Sequence, residues 1–165
     1  MAQDIVLRPV RDSDSQALIE LIGSCYSEYV NCILDVETEE QWLKALASYY
    51  EKVSRIGSVL WVVEIDSRLC ACIGVKFDES GRGEPKTLYV AKYARKKGLA
   101  TFLMALVENY ARFQGVKSWS FWSDTRFEDA HRLYKKLGYM KTGRTRMLRD
   151  ISDSAEFEFA KVLSV

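Results

Sequence analysis

Histidine occurs once in this chain, at His131, and proline only twice. With so little imidazole, neither a multi-histidine metal site nor a Ser/His/Asp relay has its parts. His131 lies in the first turns of a helical pattern beside Arg132, where a solvated or cap-side role suits it better than that of a base. The four cysteines supply no substitute. Cys70 and Cys72 are two apart in a strand-like run and share a face, so they do not bond to each other, and Cys25 and Cys32 lack a metal-type partner set. Free thiols in a reducing cytoplasm are the expectation, with no metal. A dominant charge is missing too. Lys and Arg number 24 against 23 Asp and Glu, a formal net charge of +1, so nothing draws the whole molecule to nucleic acid or to an anionic membrane, and neither is expected as a partner. No apolar run approaches the ~20 residues of a membrane span. The opening MAQDIVLRPVRDSD lacks the apolar centre of a signal peptide. Linkers, repeats and low-complexity segments are absent, and 165 residues suffice for one core, so residues 1–165 read as a single domain.

What is present is a clear succession of periods. DIVLRPV reads as a strand ending near Pro9. Ser13 and Gln16 stand in capping-box spacing before a helix with Leu18, Leu21, Ile22, Cys25, Tyr26 and Tyr29 on one face. Thr38 and Gln41 repeat that spacing before a second helix, with Trp42, Leu43, Leu46, Tyr50 and Val53 inward. The period then drops to two. SVLWVVEID and LCACIGVKFD form a hairpin about Asp66-Ser67-Arg68, the glycine-rich DESGRGEP is a turn, and KTLYVA is a third strand. A helix from Gly98 to Gly115 carries Leu99, Phe102, Leu103, Leu106, Val107 and Tyr110. KSWSFWSD alternates as a strand, with its aromatics toward a core. Thr125 and Glu128 cap a last helix bearing Ala130, Leu133, Tyr134 and Leu137, and two strands close the chain.

One stretch conflicts with its own setting. ARKKGLA crowds Arg95, Lys96 and Lys97 against a helix start, where unpaired N–H groups already carry partial positive charge. A bound anion would resolve the conflict; the plain alternative is a solvated basic helix start.

The element order, the strand LYV followed by ARKKGLA, and the later DAHRLYKKLGYMKTG together resemble the GNAT superfamily of N-acetyltransferases. Arg95-x-x-Gly98-x-Ala100 is similar to that family's Q/R-x-x-G-x-G/A pyrophosphate loop. Ala130, Tyr134, Gly138 and Tyr139 match its alanine, tyrosine and closing glycine–aromatic pair. The resemblance implies an α+β fold, layered α/β/α, with a mixed, mostly antiparallel central sheet of about seven strands, four main helices and a splayed strand pair.

It implies acetyl-CoA as cosubstrate, an amine as acceptor, and direct transfer without an acyl-enzyme. Backbone N–H groups from Arg95 through Lys96, Lys97, Gly98 and Leu99 to Ala100 would cradle the pyrophosphate. Leu88 and Val90 would bind the pantetheine arm along an open strand edge, with the Val90 amide as an oxyanion-type donor. Tyr134 would donate to the departing thiolate, though its place on the apolar stripe equally suits packing. For the general base three routes stay open. Glu84 stands six residues before Val90, and alternation would put it on the face of Leu88 and Val90, but Pro85 follows it and its surroundings read as a turn. Glu64 is the rival, and a relay through bulk water is the third. Where many members carry an asparagine, this chain has Phe127; Asp124, Thr125 or Arg126 are candidates to replace its contact. Acceptor recognition would fall to residues 25–42 and to the last hairpin, whose strands could also pair between subunits of a homodimer. A coenzyme A-binding sensor that lacks turnover is the competing function.

Overall fold

The computed structural model describes residues 3–53 and 57–163; Val53 lies outside the described side chains. Four strands, β1 (Ile5–Pro9), β2 (Val59–Ile65), β3 (Arg68–Phe77) and β4 (Gly83–Val90), form one antiparallel sheet in that order. The other three, β5 (Ser118–Asp124), β6 (Met140–Met147) and β7 (Ala155–Val162), form a second sheet in the order β5-β7-β6. The helices are α1 (Ser15–Tyr26), α2 (Leu46–Val53), α3 (Leu99–Phe113) and α4 (Glu128–Lys136). This is the layered α+β arrangement implied by the sequence, with its strands in two antiparallel sheets.

Alternation on β3 divides the layers. Its odd residues Ile73, Val75 and Phe77 face α3, whose Tyr110 ring stands 5.1 Å from Trp61 and 6.2 Å from Phe77. Its even residues face α1 and α2. Gly74 lies so close beneath α2 that a β-carbon there would come within 2.6 Å of the Tyr50 hydroxyl, so only glycine fits. Asp66 and Ser67 turn the β2–β3 hairpin with φ of 50° and 64°, the left-handed pair that a two-residue turn requires. On β5, Trp119 and Phe121 are buried and point into the core, as the alternation predicts.

Three helix starts depart from their expected caps, each because an aspartate competes for the backbone. Asp14, not Ser13, accepts the Arg11 N–H at 2.7 Å, and α1 begins at Ser15. Asp35 accepts the N–H groups of Glu37 and Thr38, so Thr38 caps nothing; a 3₁₀ turn at Gln41–Lys44 carries Trp42 and Leu43, and α2 starts only at Leu46. Asp124, not Thr125, accepts the Arg126 N–H at 2.9 Å ahead of α4.

Candidate active site

β4 and β5 lie side by side without a hydrogen-bonded ladder, which leaves an opening between the two sheets. Val90 stands on this open side. Ala91 donates its N–H to the Cys70 carbonyl at 2.8 Å, so the alternating antiparallel pattern turns the N–H and C=O of Val90, opposite Ala71, away from β3. The Val90 carbonyl accepts from Arg95 Nε at 2.9 Å and from Cys25 Sγ at 3.7 Å.

Past Val90 the chain makes a short 3₁₀ turn and then two left-handed residues, Lys96 with φ 61° and Gly98 with φ 80°. Gly98 is the N-cap of α3. No side chain caps that end, and no atom lies within 4 Å of where a Gly98 β-carbon would be. Lys96, Lys97 and Gly98 are exposed, and Leu99 and Ala100 half-buried. The start of α3 thus borders open space, behind two left-handed residues. Arg95 behaves otherwise than its neighbours. Its guanidinium makes a two-pronged pair with Glu28 at 2.8 and 2.6 Å, so its side chain ties the loop to the end of α1 instead of adding free charge.

Tyr134 projects from α4 into a cavity of about 350 Å³ shared by Leu88, Tyr89, Ser123, Phe127 and Ala130. Its ring packs on Phe121 at 4.9 Å and Phe159 at 5.3 Å. The ring is thus part of the core, as its place on the apolar stripe suggests, and the residue also lines the cavity. Burial pushes the phenol up to about 12, against an opposing pull from the Ser123 hydroxyl. His131 is half-buried, not solvated. Its Nε2 lies 3.2 Å from Ser123 Oγ and its ring 5.0 Å from that of Phe159, and burial with Lys141 nearby lowers its pKa.

The proposed bases are elsewhere. β4 does extend back through Pro85 to Glu84, but Thr87, at φ 58°, makes a bulge. The pairing steps from Gly74 opposite Lys86 to Cys72 opposite Tyr89, one residue out of step. Alternation inverts across it, so Glu84 shares the face of Lys86 and Tyr89, not that of Val90. Glu84 pairs with Lys86 at 3.2 Å and lines a second hollow with Asp78, Arg82 and Trp122. Glu64 is paired with Arg8, which also holds Asp14 at 2.8 Å, and does not line the cavity.

Phe127 packs on Tyr29 at 5.0 Å and Tyr26 at 6.0 Å. Asp124 and Arg126 are committed to each other at 2.6 Å, and Arg126 also reaches the Asn31 carbonyl and Ser154 Oγ, so the pair fastens two loops at the cavity rim. Sequence reasoning missed Glu40, a half-buried carboxylate in the cavity wall whose pKa burial raises. Its only signal was an acid two residues before Trp42. Among the described residues no cluster of three or more His, Cys, Asp or Glu is placed to hold a metal, and no helix is long and apolar enough to cross a membrane.

Comparison with known proteins gives a consistent result. A family model described as the acetyltransferase (GNAT) family matches residues 16–139. The curated Probable N-acetyltransferase 14 of Xenopus tropicalis is 27% identical over 103 residues, 61% of this chain and 48% of that protein, so the chain spans about half the length of the curated relative it matches. The crystal structure of a GNAT-family acetyltransferase from Staphylococcus aureus Mu50 superposes with a TM-score of 0.81 at 18% identity, over 98% of this chain and 100% of that one. The PaiA N-acetyltransferase of Thermoplasma acidophilum, in complex with coenzyme A, gives 0.73 at 19% identity, over 96% and 99%. At such identities the structural likeness is one of fold.

Proposed function

The chain belongs to the GNAT family of acetyltransferases, and from that premise we propose that it moves an acetyl group from acetyl-CoA to a primary amine by direct attack in a ternary complex. One observation carries the reading: an uncapped helix start with an open glycine at 98 follows directly on a strand end whose Val90 N–H faces an unpaired gap. A diphosphate suits the first and an extended amide-bearing arm the second. The amides of residues 95–100 hold the diphosphate, with Lys96 and Lys97 adding attraction. Leu88 and Val90 line the path of the arm.

Acetyl-CoA supplies the thioester, whose carbonyl carbon the amine attacks; a C–N bond forms, the C–S bond breaks, and one proton passes from nitrogen to sulfur. The Val90 N–H is the donor to the carbonyl oxygen as it gains charge. Tyr134 serves the sulfur. A phenol near 12 keeps its proton at neutral pH, yet it is a weaker acid than a free thiol at about 8.5. Tyr134 therefore gives its proton to sulfur only as it regains one from the acceptor nitrogen, and at rest it is a hydrogen-bond donor. With Glu84 and Glu64 outside the cavity, the ammonium form of the acceptor loses its first proton to water. Free thiols fit a reducing cytoplasm, and the exposed edge strand β6 is the surface on which two copies would pair.

Acetyl-CoA should raise the melting temperature, by about 2.7 kcal/mol of stability at a hundred times its Kd, and an amine panel should release thiol. A midpoint unmoved by millimolar acetyl-CoA would remove the reading. Binding without thiol release would select the sensor instead, which the position of Glu84 outside the cavity favours.

A further inference from the structure

The cavity that holds Tyr134 also holds a carboxylate to which the transfer proposed above assigns no role. Glu40 lies in its wall between α1 and α2, half-buried, and its carboxylate accepts the Trp42 indole N–H. Of its acidic neighbours in that wall, two are held by cations and two by backbone N–H groups. Asp124 is held by Arg126 at 2.6 Å and Glu156 by Arg146 at 2.5 Å. Glu39 accepts the Ile151 N–H at 2.7 Å, and Asp150 the Ser154 N–H at 2.7 Å. Two lysines also line the cavity, but Lys86 is paired with Glu84, and Lys76 lies over the Tyr49 ring and donates to its hydroxyl at 3.3 Å. Among the described residues Glu40, like Glu39 and Asp150, is in no ion pair, and of the three it is the one bonded to an aromatic ring N–H.

Burial raises the Glu40 pKa even with the Lys86 charge acting against it, and a half-buried carboxylate with no bonded cation gains when one arrives. The surroundings suit one. Trp42 stands 5.7 Å from Tyr49 and 6.3 Å from Tyr50, and Tyr26 and Tyr89 close the same wall with their hydroxyls 3.2 Å apart. Aromatic faces beside a carboxylate attract ammonium groups. Burial chiefly raises the phenols of Tyr26 and Tyr89 and the Glu40 charge adds to it, whereas burial raises that of Tyr134 against Ser123, with no contribution from Glu40.

We propose that Glu40 and Trp42, with the Tyr26 wall, form a cation subsite, and that the acceptor is a small dicationic amine whose second ammonium docks there while the first reacts beside Tyr134. This rests on the acetyl-transfer reading for the identity of the reacting group, but the subsite can be tested apart from it. A five-carbon α,ω-diamine and the five-carbon monoamine are titrated calorimetrically into the wild type and Glu40→Gln. The glutamine keeps an oxygen for the Trp42 N–H. The diamine should bind the wild type at least about tenfold more tightly, as expected of a charge-assisted contact. Glu40→Gln should reduce that preference to about twofold or less, and added salt should weaken it in the wild type, a readout that needs no variant. Equal affinities, no binding of either amine, or a preference that persists in Glu40→Gln would overturn the subsite. Thiol release with acetyl-CoA separates the two claims. A binding preference without release removes acetyl transfer and leaves the subsite; release with equal KM for the two amines does the reverse.

Discussion

Tyr134 combines two demands in one side chain. Its ring fills core space against Phe121 and Phe159, and its hydroxyl sits where burial raises it to about 12. Tyr134→Phe keeps the ring, so stability and acetyl-CoA affinity should hold while kcat falls by about a hundredfold or more, measured by thiol release. In the wild type the phenol stays protonated well beyond neutrality. The rate should therefore climb with pH as free amine accumulates toward a pKa of about 10, with no basic-side loss from Tyr134 below that point; a downturn near pH 8 would contradict the assignment. His131, one turn earlier, gives a stability prediction. Burial lowers its pKa below the 6.5 of an open chain, so the unfolded state takes up the proton more readily. Its contribution is fully present above about pH 6.5 and is lost as pH falls toward the folded value. Melting midpoints from pH 7 to pH 5 should fall less steeply in His131→Gln.

At the level of elements, legibility depended on whether the cause lay nearby in the chain. The β2–β3 hairpin could be read from Asp66-Ser67 between two apolar runs, since turn and strands are local. The bulge at Thr87 could not: nothing marks a threonine for φ 58°, and this one residue moved Glu84 to the other face of β4. The capping boxes failed for a similar reason, as the aspartates at 14, 35 and 124 took the backbone groups first. The α3 start was legible because its glycine is demanded by geometry. Gly98→Ala would place a β-carbon at φ 80° in open space, costing about 1 to 2 kcal/mol through strain alone. The same change should weaken acetyl-CoA binding, seen as a smaller thermal shift at fixed ligand. An unchanged shift would mean that the loop backbone does not carry the diphosphate.

Across the whole molecule, the two sheets meet between β4 and β5 without a ladder, so something else must hold them in register. Candidate fastenings join residues far apart in sequence, which is why no pattern announced them. Arg126, beyond β5, donates to the Asn31 carbonyl of the segment after α1. On the other side of the sheet, Glu108 of α3 is buried and accepts from Tyr139 at 2.9 Å and from Lys161 of β7 at 2.8 Å, and Tyr139 in turn accepts the Trp119 indole N–H of β5 at 3.0 Å. This chain of bonds ties α3, the helix behind the proposed diphosphate loop, to the second sheet. Removing its carboxylate takes a partner from the partly exposed Lys161 and Arg112 and leaves the buried Tyr139 hydroxyl without its acceptor, a loss of about 1 to 3 kcal/mol. Glu108→Ala should lower the urea midpoint accordingly. Because Glu108 lies outside the cavity, whatever enzyme remains folded should keep its KM for the amine. A loss under about 0.5 kcal/mol, as for an ordinary surface change, would mean that apolar packing alone holds the sheets on either side of the gap.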